Sequence, residues 1–208
     1  MVDYTAMIAQ CAPDIAPHIL ERIIKVESSF NPYAIGVVNG RLVRQPINKS
    51  EAVATAMSLH NAGWNFSMGL GQINRHNLSP YGLDYELVFD PCLNMQTASK
   101  IFNECLRRAE SKLSRDEAVL AAYSCYYSGN FTRGFKPEGA NQSSYVDRIL
   151  AVAPTTSAPT GIPIEVISTS GNSPTRKNTS LTVTAKNGEA RISSPQKRMG
   201  GVKELRGE

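Results

Sequence analysis

Between Ile15 and Glu27 the chain repeats its apolar residues at the spacing of an α-helix. Ile15, Ile19, Leu20, Ile23 and Ile24 share one stripe, and Glu27 lies one turn beyond Ile23 and Ile24 on that stripe. Glu21, Arg22 and Lys25 fall on the other side, so the pattern predicts a helix that buries its apolar face and turns its charges outward. Glu27 should therefore face the interior. Asn31-Pro32 stops the helix, because the residue before a proline is pushed out of the helical region, and this sets Glu27 in the last turn, where the helix dipole is negative. Desolvation and the dipole both raise a carboxyl pKa, toward a value at which the group holds a proton near neutral pH and can donate it. The competing reading is a glutamate that reaches back to water or pairs with a cation at the helix end.

The rest of the first three-quarters of the chain is also helical in pattern. Met95, Ala98, Ile101, Phe102, Cys105 and Ala109 mark one buried face, Ser114-x-x-Glu117 is a capping box opening a helix through Tyr126, and a last helix covers Tyr145 to Ala151 with Val146, Ile149 and Leu150. Residues 36–68 read as a turn at Asn39-Gly40 and a short helix from Ser50 to about His60, with Val53, Ala56, Met57 and His60 on one side and a stop at Gly63. Short extended pieces are expected only near Leu42-Val43 and around Gln72. A mainly α domain follows.

Two further stretches carry chemistry. In Gly69-Leu70-Gly71-Gln72-Ile73-Asn74 the glycines permit turns and close approach, and in an extended segment Gln72 and Asn74 point one way with Ile73 the other. Carboxamides suit sugar hydroxyls and N-acetyl groups, since each both donates and accepts. The third stretch is Ala122-Tyr123-Ser124-Cys125-Tyr126-Tyr127-Ser128-Gly129-Asn130. Together with Glu27-Ser28-x-Phe30-Asn31-Pro32-x-Ala34, these resemble in order the three motifs of the soluble lytic transglycosylases, enzymes with a goose-lysozyme-like catalytic domain.

The resemblance implies roles residue by residue. Glu27 is the catalytic acid/base, Ser28 helps to orient it, and Tyr126 hydrogen-bonds the catalytic carboxylate, while Gln72 and Asn74, by the chemistry of their amides, are expected to line one wall for substrate. Gly71 stands where the family usually has methionine, and Tyr127 where it has asparagine. The long insertion from Gly36 to Met68, with the NPYAIGVV, GRLVRQP, GWNFS and FDPC elements in order, resembles more narrowly the lytic transglycosylase component of type IV secretion systems, the first VirB protein. That implies cleavage of the β-1,4 bond between N-acetylmuramic acid and N-acetylglucosamine in peptidoglycan to 1,6-anhydro products, opening the wall locally for a secretion or conjugation apparatus in the periplasm. A two-carboxylate glycosidase needs a second acid ~5 to 9.5 Å away, for which only Asp84, Glu86 and Asp90 offer themselves, none in a motif. The alternatives are a hydrolytic muramidase that uses water, and a non-catalytic peptidoglycan-binding assembly factor. Trp64, the only tryptophan, fits either the core or a sugar-stacking platform.

Charge and composition divide the chain. Residues 1–151 hold 14 basic and 14 acidic side chains, so the net charge of +4 resides in residues 152–208, where 8 basic face 4 acidic. A neutral domain argues against a nucleic-acid groove. Residues 152–208 are rich in Pro, Ser, Thr and Gly and are expected to form a flexible basic tail. Arg176-Lys177 and Lys197-Arg198 read most simply as solvated charges, while alternating runs at Ile164-Val166 and Leu181-Val183 would let the tail add to the sheet edge of a type IV secretion subunit. No transmembrane run is present, and the opening MVDYTAMIAQ lacks the basic region and long apolar core of a secretory leader, so the expectation is a removed leader, a misassigned one or an unusual export route.

Four cysteines, at 11, 92, 105 and 125, form no CxxC, and the three histidines His18, His60 and His76 do not cluster with them, so neither metal nor other cofactor is expected. An even count suits two disulfides in an oxidising compartment, with buried free thiols the alternative. Pairing Cys92 with Cys105 is disfavoured by the helix between them. The resemblance favours Cys11 with Cys92, which leaves Cys105 with Cys125.

Overall fold

The computed structural model describes residues 3–153. In chain order these form α1 (Tyr4–Cys11), α2 (Pro17–Ser28), β1 (Ile35–Val37), α3 (Lys49–Asn61), β2 (Phe66–Met68), β3 (Ile73–Asn74), α4 (Pro91–Glu110), α5 (Arg115–Ser128) and α6 (Tyr145–Ala151), with short 3-10 turns between them. The fold is mainly α with minor extended segments, as predicted. The starts of the helices are set by local chemistry. Pro17 opens α2, Asn48 caps α3 by accepting from the Glu51 amide, and Asp90 caps α4 ahead of Pro91. Capping boxes open α5 at Ser114 with Glu117 and α6 at Ser144 with Asp147.

The three strands form an antiparallel sheet in the order β1-β2-β3, pairing Gly36 with Ser67 and Ser67 with Asn74. One sheet face is apolar and buried through Ile35, Phe66, Met68 and Ile73. It packs into a core shared by Leu20, Ile23 and Ile24 of α2, Met95, Ala98 and Phe102 of α4, Ala122 and Tyr123 of α5, and Ile149 of α6. Two disulfides close the framework, Cys11–Cys92 between α1 and α4 and Cys105–Cys125 between α4 and α5. This is the pairing the resemblance favoured.

Several expectations need correction. Ile15 is buried but precedes α2, and Glu21, expected among the outward charges, is itself buried. The end of α2 is made not by Asn31-Pro32 but by two left-handed residues, Ser29 (φ 51°) and Phe30 (φ 64°). The Ser29 amide still reaches the Lys25 carbonyl at 3.2 Å, and the Tyr4 hydroxyl donates to the Phe30 carbonyl at 2.9 Å, so contacts outside the helix hold a turn that non-glycine residues resist. On α3 the buried residues are Ala52, Val53 and Ala56, while Met57 and His60 are exposed. His60 turns outward because its Nδ1 engages the Arg75 guanidinium at 2.8 Å and the Tyr85 hydroxyl at 3.0 Å.

Leu42-Val43 forms no strand. The edge of β1 is instead met by the Gln45 carboxamide, whose Oε1 accepts from the Ile35 amide at 2.8 Å and whose Nε2 donates to the Ile35 carbonyl at 3.0 Å. Leu150 is exposed, since the short α6 buries only Tyr145, Val146 and Ile149. Trp64 is 44% exposed and is not a core residue. Arg176-Lys177, Lys197-Arg198 and the runs at Ile164-Val166 and Leu181-Val183 lie outside the described residues. Among the described residues no helix is long and apolar enough to cross a membrane, and no group of three or more His, Cys, Asp or Glu side chains stands close enough to hold a metal ion.

Candidate active site

The last turn of α2 carries Glu27 beside α5 and α6. As a whole residue it is half-buried, and its carboxyl end is the part turned into the protein. Tyr145, at the start of α6, donates its hydroxyl hydrogen to Glu27 Oε1 at 2.7 Å. Burial pushes the Glu27 pKa from 4.5 up to about 7, against the Tyr145 hydrogen bond and the Arg148 charge, both of which pull it down. Desolvation wins. The Tyr145 hydroxyl is itself driven well above 10 by burial and by the Glu27 charge, so it remains a proton-bearing donor across the physiological range. Tyr145 is fixed in turn by Tyr127, whose ring stacks on it at 4.5 Å and 12°, and by the Arg148 guanidinium 5.7 Å from its ring centre.

The loop from Gly69 to Asn74 packs against α4 and α5, where it meets Tyr126, a neighbour of Glu27, and a buried asparagine latches it. Asn94 of α4 accepts from the Gly71 amide at 2.7 Å and donates to the Met68 and Val88 carbonyls at 3.1 and 2.8 Å. Gly71 has no room for a side chain, since a Cβ there would lie 2.7 Å from Ala98 Cβ and 2.8 Å from the Tyr126 hydroxyl oxygen. Gln72 takes a left-handed conformation (φ 49°) just before β3, and its Nε2 donates to the Ala34 and Gly69 carbonyls at 3.0 and 2.9 Å. Asn74 donates to Asn65 Oδ1 at 2.9 Å and to Ser67 Oγ at 3.3 Å, and accepts from the His76 amide at 3.1 Å. Gly36, Ser67 and Asn74 thus form a row across the unburied face of the sheet.

Two of the anticipated contacts are made differently. Tyr126 donates to the Gly71 carbonyl at 2.6 Å rather than to Glu27, because the side-chain-free Gly71 brings its backbone against α5. Ser28 donates back along α2 to the Ile24 carbonyl at 3.1 Å. The contact to Glu27 comes from Tyr145, 118 positions away in sequence. Sequence reasoning placed Tyr145 only in a helix, and nothing in the pattern of a seven-residue helix marks it out. Ser67 was missed as well, although the alternation Phe66-Ser67-Met68 carried the signal.

The other acids have structural partners. Asp84 accepts from the Glu86 and Leu87 amides at 2.8 and 2.7 Å, Asp90 caps α4 through the Leu93 amide at 2.9 Å, and Glu86 pairs with Lys49 at 3.6 Å. Among the described residues, Glu27 is left as the carboxyl with a raised pKa, held by Tyr145. The Transglycosylase SLT domain model matches residues 5–141, most of the chain and all of this constellation up to α6. The chain belongs to this transglycosylase family.

Relatives of the SLT transglycosylase agree. The chain is 51% identical over 164 residues to the type IV secretion system protein virB1 of Brucella suis biovar 1, covering 78% of this chain and 68% of that protein. The corresponding protein of Brucella abortus biovar 1 is 52% identical over 161 residues, covering 76% and 67%. Protein virB1 of Agrobacterium fabrum is 32% identical over 128 residues, covering 61% and 51%. No solved structure matches the chain. The transglycosylase is thus an enzyme, and among the described residues Glu27 is the carboxyl whose pKa is raised.

Proposed function

We propose that Glu27 is the single acid/base of a peptidoglycan lytic transglycosylase that acts at the cell envelope for a type IV secretion apparatus. The observation that carries this reading is the carboxyl at the end of α2, raised to about 7 by burial and held by Tyr145. A group titrating near neutrality loses and regains a proton at comparable cost, which one residue needs if it is to act first as acid and then as base. Protonated Glu27 gives its proton to the glycosidic oxygen between N-acetylmuramic acid and N-acetylglucosamine, and the C1–O4 bond breaks. The resulting carboxylate takes the proton from the muramoyl 6-hydroxyl, whose oxygen bonds to C1 and closes the 1,6-anhydro ring. Glu27 ends protonated and no water is consumed.

Ser67 and Asn74, on the unburied sheet face, are suited to the glycan strand, while Gln72 and Tyr126 support the wall by fixing backbone carbonyls. Ser28 acts at a distance, through the helix end. The catalytic domain lies within residues 1–151, residues 152–208 serve as a tail toward secretion subunits, and the compartment is the periplasm, where two disulfides are maintained.

The test is mass spectrometry of muropeptides released from purified peptidoglycan by the protein and by its Glu27→Gln variant. Anhydromuropeptides from the wild type alone are expected. Reducing-end products would make the enzyme a hydrolytic muramidase, and no release by folded protein would move the function to glycan binding.

A further inference from the structure

Tyr127 occupies the place of the family asparagine in the third motif and is committed on two sides. Its ring lies flat on Tyr145 at 4.5 Å and 12°, and its hydroxyl donates to Glu138 Oε2 at 2.6 Å. Glu138 is anchored too, because its amide donates to the Ser143 carbonyl at 3.2 Å in an isolated β-bridge. Ser144 follows as the cap of α6 and Tyr145 as its first residue. The path from Tyr127 through Glu138, Ser143 and Ser144 to Tyr145 therefore closes on itself, with the ring stack as the closing contact.

A hydrogen bond weakens steeply once donor and acceptor are misaligned, and the tilt of the Tyr145 ring decides where its hydroxyl points. We propose that Tyr127, anchored by Glu138, is a positioning residue that holds Tyr145 at the tilt from which its hydroxyl reaches Glu27. The inference rests on the reading of Glu27 as the acid. It does not require Tyr127 to touch substrate.

The charged and titratable neighbours fix the sign of the expected effect. Glu27 faces Tyr145 and Arg148 of α6 and Tyr126 of α5. Tyr145 faces Glu27, Tyr126 and Tyr123 as well as Arg148, and Tyr127 faces Glu138, Arg148 and Arg133. The Tyr145 hydrogen bond lowers the Glu27 pKa. Loosening it raises that pKa, so the falling limb of activity moves to higher pH.

The experiment is the pH dependence of kcat and KM for anhydromuropeptide release by the full chain. Tyr127→Asn should lower kcat about tenfold with KM within about twofold, and should move the falling limb up by about half a unit or more. Tyr127→Phe, which keeps the stacked ring but loses the Glu138 anchor, should fall between wild type and Tyr127→Asn in both. In a Tyr145→Phe background Tyr127→Asn should change neither, because the contact it orients is gone. Where that background turns over too slowly, the Glu27 carboxyl titration by NMR replaces the limb. Tyr127→Leu takes the place of an asparagine variant that does not fold, with the same expectations. A limb that stays put in Tyr127→Asn, or a shift that persists in full beside Tyr145→Phe, overturns the proposal. Glu27→Gln is run alongside: retained activity there overturns the acid/base reading itself, whereas an inactive Glu27→Gln with an unmoved Tyr127→Asn limb overturns the brace alone.

Discussion

Burying Glu27 works against the stability of the domain. Its pKa is about 7 when folded and 4.5 in its ordinary environment, so between these values the folded state binds more protons than the unfolded one. Stability attributable to this group is therefore full below pH 4.5 and is lost as pH rises toward 7. The loss is on the order of 3 kcal/mol. Glu27→Gln should remove that dependence, so urea midpoints of wild type and variant should diverge between pH 5 and pH 8 with the variant the more stable at pH 8. Equal slopes in both proteins would show that Glu27 titrates as an ordinary carboxyl. At this scale Glu27 was legible in the sequence because a charge on an apolar stripe breaks a pattern. Tyr145 was not, since a buried tyrosine on a helix keeps its pattern whether its hydroxyl is idle or holds the acid.

The elements position the site by fitting closely around small residues. The loop after β2 passes α4 and α5 at Gly71, where a Cβ would meet Ala98 Cβ at 2.7 Å, an atom with no rotamer by which to retreat. Gly71→Ala should cost about 1 to 3 kcal/mol, and Ala98→Gly should recover part of it, as read from chemical unfolding of the single and double variants. A loss under about 0.5 kcal/mol would mean that the loop shifts freely. The family methionine at this position is thus incompatible with the Tyr126–Gly71 contact of this chain. The helices were readable from period and capping, Ser114 with Glu117 above all. Of the strands only β3 was anticipated, in the extended piece around Gln72; β1 and β2 were not, because a three-residue alternation such as Phe66-Ser67-Met68 is too short to stand out, and Gln45 completes the sheet edge with a side chain that no backbone pattern encodes.

For the molecule as a whole, the disulfides do what a core of this size benefits from. Cys11–Cys92 spans 81 positions and Cys105–Cys125 spans 20. Chain-entropy reasoning gives about 4.5 kcal/mol for the longer loop and about 3 kcal/mol for the shorter. Replacing Cys11 and Cys92 by alanine should therefore destabilise more than replacing Cys105 and Cys125, a ranking that thermal unfolding of the two variants checks and that the reverse order would refute. The pairing came from family resemblance, since cysteine positions alone leave more than one arrangement open. Burial of the Glu21 side chain could not be anticipated, because it depends on elements that only the assembled domain brings against α2.

The proposed chemistry depends on the proton affinity of one carboxyl, and carbon-detected NMR titration of Glu27 in the folded protein measures it. A midpoint near 7, moving upward in Tyr145→Phe, is the predicted result. A midpoint near 4.5, unaffected by Tyr145, would contradict it.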